Sequence, residues 1–595
     1  MVTDFKTCAS LTAMFFEQAA ERGDRPFLWV KRDGRYVSQS WTEVASLVGR
    51  LARGLRSVGL TAGDRVMLVA ENRPEWLIAD LGIMAAGGIT VPAYTTNTVA
   101  DHQHIMGDSG ARAVIVSTRQ LAERVIPAAA RLPHPPLVVS IEPPDLRQNN
   151  GVVLLSWDEL MAQGADHAAP IAEPSRDDTA CIIYTSGTGG APKGVMLAHG
   201  AILHNCLGAH AVLAEMGLSE ESFLSFLPLS HAYEHTTGQF FPISIGAEIY
   251  YAEGIDALGN NLVEARPTIM TAVPRLYEVL RARILRGVER AGGRKRALFM
   301  KALDIGRRRH DDPASLSLGD RLWDVVLERL VRDKVRQRFG GRLKALVSGG
   351  APLNPDVGLF FTALGVRILQ GYGQTEAAPV ISCNPPGKVK MHTVGPPLKG
   401  VEVKLAADGE ILVRGELVMQ GYWNDPEATC AAIGDGRWLH TGDVGEIDSD
   451  GYIRITDRKK DIIVNSGGDN VAPQRVEGFL TLAPEIGQAM VYGDRRPHLV
   501  AIIVPSTDFA EAWAKEHGAA ADLAALVENP AFRKAIGAAV DRVNRDLSPV
   551  EKVRRFALTA EPFSVANEMM TPTMKIRRHK IREVYGAKLD ALYGE

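Results

Sequence analysis

Residues 184–194 read Tyr-Thr-Ser-Gly-Thr-Gly-Gly-Ala-Pro-Lys-Gly and follow an apolar run, Ala180-Cys-Ile-Ile-Tyr184. Small hydroxyl residues and glycines let backbone N–H groups and side-chain oxygens converge on phosphate oxygens, and Lys193 adds a cation. Neither common phosphate fingerprint fits. A Walker loop needs Gly before its Lys and Ser or Thr after it, whereas Lys193 sits between Pro192 and Gly194. A GxGxxG starting at Gly187 would need Gly at Pro192. A competing motif, His231-Ala-Tyr-Glu-His235, matches the H-x-x-E-H pattern of a zinc-peptidase helix. It follows a proline-broken run, Phe226-Leu-Pro-Leu, and lacks a recognisable third ligand downstream. His231 is read instead as bordering a substrate pocket, or as a core histidine.

The elements that must position these groups alternate helix-period and short apolar segments. Trp41–Gly59 carries Val44, Leu47, Val48, Leu51, Leu55 and Val58 on one side. Arg65–Ala70, Ile89–Pro92, Ala113–Val116, Ala180–Tyr184 and Leu343–Val347 are buried-strand candidates, so an α/β fold with parallel sheets is expected. Open parallel sheets bind ligands at the carboxyl ends of their strands, where the Gly-rich turns lie. From about residue 394 the pattern shifts to short alternating runs typical of a small antiparallel β unit. The charged stretch Asp457-Arg-Lys-Lys-Asp461 is the best boundary before a separate α+β domain.

The chain has 595 residues, enough for several folding units, and 67 basic against 70 acidic residues. A near-neutral balance argues against a nucleic-acid-coating protein. Apolar content of 46% with 23% charged residues excludes disordered and fibrous classes. Five scattered cysteines, never spaced CxxC, fit free thiols in a reducing compartment. The opening residues lack the layout of a secretory signal and no run is long enough to span a membrane, so a cytoplasmic protein is expected.

The phosphate-type loop resembles the signature of the adenylate-forming (AMP-binding) superfamily, which includes acyl-CoA synthetases, luciferases and peptide-synthetase adenylation domains. Further segments resemble that superfamily in order: Leu227-Pro-Leu-Ser-His-Ala-Tyr-Glu234, Val347-Ser-Gly-Gly-Ala-Pro-Leu353, Gln370-Gly-Tyr-Gly-Gln-Thr-Glu376, Trp438-Leu-His-Thr-Gly-Asp443, the stretch 457–473, and Thr571-Pro-Thr-Met-Lys-Ile-Arg-Arg578. The first and last look most like long-chain fatty acyl-CoA synthetases. The resemblance implies a large N-terminal domain (1–458) of doubly wound αβαβα sheets, with a small β-barrel-like subdomain at about 394–456. A mobile C-terminal lid (461–595) would follow a hinge near 457–461.

It also implies an ATP-dependent ligase that joins a long-chain fatty acid to CoA through an acyl-AMP. The alternatives are a ligase that loads a carrier protein, or an aryl or medium-chain acyl-CoA ligase. Lys575 would reach the substrate carboxylate and α-phosphate, Thr375 would bond the α-phosphate, and His231 would assist. Thr185, Ser186, Gly187, Thr188 and Lys193 would hold the β- and γ-phosphates. Glu376, with Thr185, would hold Mg²⁺, a hard ion suited to oxygen donors. Gly349, Ala351, Pro352, Gln370, Gly371 and Tyr372 would shape the adenine pocket, with Asp443 and Arg458 on the ribose. Lys460 aligns with the hinge, Asp461 being its neighbouring alternative, and the loop at Gly468 would help form the CoA tunnel. Lys552, Arg554 and Arg555 are candidates for the CoA nucleotide.

Between Arg281 and Arg309 a dense series of basic residues is interleaved with Leu280, Ile284, Leu285, Val288, Leu298 and Phe299, with Glu289 and Asp304 as the nearby acids. Such a stretch is either a solvated helix face or a surface that lies on an anionic membrane. Peripheral contact with the inner membrane face through 281–309 is carried forward as an expectation.

Overall fold

The computed structural model describes residues 3–143, 151–185, 191–467, 469–571 and 575–594. Two helices in it have no polar face. In Pro74–Ala85 every residue except Glu75 is buried, and in His199–Leu213 the run from His199 to Cys206 is buried throughout. A helix that is apolar all round must be covered on all sides, and both lie between two large sheets. One sheet orders its strands Val380–Cys383, Ile368–Gly373, Ala345–Ser348, Ile269–Ala272, Ser222–Ser225, Glu248–Tyr251, Pro26–Arg32, Arg35–Ser40. The other runs Gly421–Tyr422, Lys193–Ala198, Thr179–Thr185, Ile89–Pro92, Arg65–Val69, Ala113–Val116, Leu137–Ser140, Leu154–Ser156. Inner pairings are parallel and antiparallel strands sit towards the edges. One continuous core holds Val66 and Leu68 of the second sheet, Phe223 and Ile249 of the first, and Leu77, Leu81 and Ile202 of the helices between them. Removing one of those buried side chains, as in Leu77→Ala, should cost about 2–5 kcal/mol.

The antiparallel unit consists of Glu402–Leu405, Glu410–Arg414, Leu439–Ile447 and Ile453–Arg458, paired in that order. Its first and last strands do not pair with each other, so the barrel-like expectation is corrected to an open four-stranded sheet. Four strands are too few to close on themselves.

The smaller C-terminal domain is built on Ile486–Tyr492, Leu499–Pro505 and Val553–Leu558. The central strand alternates perfectly between two cores. Leu499, Ala501 and Ile503 meet the helices Pro473–Leu480 and Pro530–Val543, while Val500, Ile502 and Val504 meet Ile581, Tyr585 and Leu589 of Arg578–Ala591. Period-2 alternation with both faces apolar is what a strand covered on two sides requires.

The basic stretch is two helices, Pro274–Ala291 and Gly293–Asp311, broken at Gly292 with φ +54°. Its charges are less free than their sequence neighbours suggest. Arg286 pairs with Asp508, Arg308 with Asp320 at 3.1 Å, and Arg309 with Asp324 at 3.0 Å. Arg281 lies over the Phe360 ring, 5.7 Å from its centroid. These partners come from distant elements, which no local count of acids could register. Among the described residues no helix is long and apolar enough to cross a membrane.

Candidate active site

The strand Ala345–Ser348 runs into Gly349, where close approach excludes a side chain: a Cβ there would lie 2.9 Å from Cζ of Tyr233. The Tyr233 hydroxyl donates to the Val347 carbonyl at 2.9 Å, so the ring is clamped flat on the turn. Gly350 follows with φ +81°, and Ala351 and Pro352 are exposed at the strand's carboxyl end.

The neighbouring strand Ile368–Gly373 brings Gln370, Gly371 and Tyr372 to the same edge. The Tyr372 hydroxyl donates to Asp443 Oδ2 at 2.6 Å, and Arg458 Nε donates to Oδ1 at 3.0 Å. Asp443 and Arg458 face each other in register across two strands of the antiparallel sheet. The carboxylate is thus buried, 4% exposed, with both oxygens anchored. Each oxygen retains a further lone pair, so the group can still accept two hydroxyls. Burial and the adjacent Asp443 carboxylate push the Tyr372 phenol well above its ordinary range, which keeps it a donor.

Thr375 and Glu376 occupy a short 3₁₀ turn, Thr375–Ala377. Glu376 Oε1 accepts the Tyr422 hydroxyl at 2.9 Å. Lys193 Nζ lies 5.4 Å from the centre of the same Tyr422 ring and 3.1 Å from Asp425 Oδ2. Thr185 and Lys193 are cross-strand partners at the two ends of the phosphate-type loop. Ser186, Gly187 and Thr188 lie outside the described residues, as does Gly468.

Lys575 enters from the C-terminal domain. Its backbone N–H donates to Thr571 Oγ1 at 3.0 Å, its carbonyl accepts the Thr571 N–H at 2.8 Å, and Met570 bridges Ile576. Arg578, three residues on, makes two 2.6 Å hydrogen bonds to Glu477. Lys575 is exposed at the surface, while the protein atoms around its amine partly desolvate it. This desolvation, followed by the Arg458 cation, pulls its pKa down to about 8, against the opposing pull of Asp443, Glu376 and Asp461. His231 lies within electrostatic reach of Lys575. Burial and then the Lys575 charge bring its pKa to about 4, and its Nδ1 accepts the Tyr233 N–H at 3.1 Å, so the ring is neutral at physiological pH.

The rest of the H-x-x-E-H match is committed elsewhere. His235 Nε2 pairs with buried Asp80 at 2.9 Å, and Glu234 accepts from Ser225 and Thr271 hydroxyls at 2.6 Å each. Among the described residues no group of three or more His, Cys, Asp and Glu is placed to hold a metal.

The described parts of these motifs are linked in pairs: Tyr372 and Arg458 to Asp443, Glu376 and Lys193 to Tyr422, and Lys575 electrostatically to Asp443 and Glu376. The family described as AMP-binding enzyme matches residues 15–423, and the AMP-binding enzyme C-terminal domain matches 460–595. The chain belongs to the AMP-binding enzyme family. Similar proteins include the long-chain-fatty-acid–CoA ligase FadD15 of Mycobacterium bovis, 33% identical over 593 residues that cover 98% of this chain and 97% of the relative. The peroxisomal long chain acyl-CoA synthetase 6 of Arabidopsis thaliana is 32% identical, covering 94% and 82%. The adenylation domain of a carboxylate reductase from Mycobacterium chelonae superposes with a TM-score of 0.76 at 21% identity, over 98% of this chain and 91% of that one. That last likeness is one of fold.

Within this AMP-binding enzyme several contributors carry no motif of their own. Tyr422 and Asp425 pair with Glu376 and Lys193 from more than forty residues away or across sheets, and Glu477 holds Arg578 from over a hundred. Lys459, beside the expected hinge residue, fastens the chain to the antiparallel sheet: its N–H donates to Gly442 O and its amine reaches Asp408 and Glu410. Lys460 is exposed in the turn that follows. Arg555 is engaged by the carbonyls of Leu592 and Gly594, which leaves exposed Arg554 as the freer CoA candidate of that strand.

Proposed function

We propose that the chain is an ATP-dependent long-chain fatty acid–CoA ligase, forming acyl-CoA, AMP and pyrophosphate. The observation that carries this reading is the seat of Lys575, a cation held in the electrostatic reach of Arg458, Asp443 and Glu376. A fatty-acid carboxylate oxygen attacks the α-phosphorus of ATP, the bond to the β-phosphate oxygen breaks, and pyrophosphate leaves. The CoA sulfur then attacks the acyl carbonyl and AMP departs with the carboxyl oxygen. Two anions must meet in the first step, so aligned donors and a positioned cation supply most of the barrier reduction.

Lys575 neutralises charge on the carboxylate and α-phosphate, and Thr375 donates to the latter. Asp443 receives the ribose hydroxyls, its orientation fixed by Tyr372 and Arg458. Gly349, Ala351, Pro352, Gln370, Gly371 and the Tyr372 ring line the base. Lys193, with Thr185, Ser186, Gly187 and Thr188, grips the terminal phosphates, exchanging Asp425 for them. Glu376 and Thr185 offer the oxygen donors a Mg²⁺ ion takes, and that ion would offset phosphate charge when bound. Neutral His231 borders the carboxylate end.

The second step needs room for the pantetheine arm. The division into 1–458 and 461–595 suits a rotation about 457–461, because Lys459 is fastened to the large domain and Lys460 is not held in a strand. Rotation withdraws Lys575 and brings the Gly468 loop to the acyl group. A cytoplasmic setting with peripheral membrane contact belongs to the same reading. The test is a panel of short, long and aromatic acids in a CoA-dependent AMP-release assay. Long-chain acids should turn over best; preference for aromatic or medium-chain acids, or turnover only with a carrier-protein thiol, would reject the assignment.

A further inference from the structure

The helix Leu318–Leu327 is packed inside out. Its outward face carries Leu318 (81% exposed), Leu322 (72%), Val325 (71%), Val326 and Trp323, with Leu330 just beyond. Its acids point the other way. Asp320 pairs with Arg308 at 3.1 Å, Asp324 with Arg309 at 3.0 Å and Arg332 at 2.7 Å, and Glu328 with Arg332 at 3.1 Å and Arg336 at 2.6 Å.

Arg332 is fully buried and also donates to the carbonyls of Ala363 and Ala302 at 2.8 and 3.3 Å. A Ser317–Asp320 capping box fixes the N-terminus of the helix. The polar side is therefore bolted to the body of the protein, and the apolar side is presented rigidly to solvent. A water-facing helix ordinarily has the opposite arrangement, and a contiguous apolar surface of this kind marks an interaction site.

Exposed basic residues adjoin this face, alongside the exposed acids Asp311 and Asp312 that precede the helix. Arg321 and Arg329 lie on it, Arg294 and Lys295 are exposed at the start of the adjoining helix, and Lys301 stands 4.0 Å from the centre of the Trp323 ring. Long basic side chains beside a leucine- and tryptophan-rich face can keep their heads at the level of lipid phosphates while their stems cover apolar surface. A second copy of the chain would bring the same cations against this rim, and like charges would oppose that pairing.

We propose that Leu318–Leu327 is a docking wedge for an anionic lipid surface, its apolar residues entering the bilayer interface and Arg321, Arg329 and Lys301 meeting headgroup phosphates. This deepens the reading of the enzyme as a fatty-acid ligase by seating it where such acids partition, and it moves the contact expected of 281–309 onto the following helix.

The test is flotation of the full chain, without ATP or acid, with vesicles of phosphatidylcholine containing phosphatidylglycerol and with phosphatidylcholine alone. The wild type should float with the anionic vesicles and release at high salt. Leu322→Glu/Val325→Glu should lower the bound fraction by roughly tenfold or more, with unchanged melting temperature and unchanged turnover of a short, water-soluble acid if one is accepted. Arg321→Gln/Arg329→Gln should weaken binding and flatten its salt dependence. Absence of wild-type flotation, equal flotation of the double-Glu variant, or equal binding to neutral vesicles would overturn the proposal. So would a dimer by sedimentation that the double-Glu variant abolishes. Because no substrate is present, failure of the catalytic reading would leave this result unaffected.

Discussion

Tyr372 and Asp443 stand 71 residues apart in the chain, on different sheets, and are joined by a 2.6 Å hydrogen bond from the phenol to the carboxylate. On the proposed reading the bond would link the base pocket to the ribose acceptor, so that one rigid unit would grip both halves of a nucleoside. Loss of Asp443 in Asp443→Ala should weaken ATP binding by tenfold or more, since Tyr372 and Arg458 would each lose a buried partner. Tyr372→Phe should cost about 1 kcal/mol, or roughly fivefold. Titration calorimetry with ATP distinguishes the two.

Lys575→Ala should nearly abolish carboxylate-dependent ATP–pyrophosphate exchange. It should spare thioester formation from supplied acyl-adenylate, where the lysine is withdrawn. Equal loss in both assays would contradict a two-closure cycle.

The depressed Lys575 pKa gives a pH dependence. Its cation is complete well below pH 8 and is lost as pH rises through about 8, so kcat/KM for ATP in the exchange reaction should fall on that alkaline limb. Lys575→Arg should retain charge and move the limb upward, even with lower absolute activity. A limb that does not move assigns the titration to another group.

Lys460→Pro restricts the φ angle of the turn and the conformation of the residue before it. Exchange should persist while overall CoA thioester formation drops at least about tenfold, if this turn absorbs the rotation. Unchanged thioester formation would place the hinge elsewhere.

Glu234 is fully buried, and burial raises its pKa to about 7 despite the Ser225 and Thr271 hydroxyls. Because the folded value exceeds the unfolded one, its stabilising contribution is complete below about pH 4.5 and is lost as pH rises through 7. The melting temperature of the wild type should therefore decline between about pH 4.5 and 7 more than that of Glu234→Gln, and the difference should level off above pH 7. Parallel declines would show that other groups control this range.

The family motifs were legible because each is a local string whose residue types suit a chemical need: glycine where a ring comes too close, hydroxyls and a lysine suited to phosphate, a carboxylate suited to a ribose. The α/β class was legible for a similar reason, since helix-period and strand-period segments alternate along the chain. What the chain order could not reveal was pairing at distance. That Tyr372 would hold Asp443, that Tyr422 and Asp425 would attend Glu376 and Lys193, and that Arg308, Arg309 and Arg332 would draw the acids of Leu318–Leu327 inward are consequences of packing. The same packing left four strands as an open sheet and turned a helix's leucines to the outside. A side chain's chemistry belongs to its residue type, but its partner and its exposure belong to whatever distant surface the core brings against it.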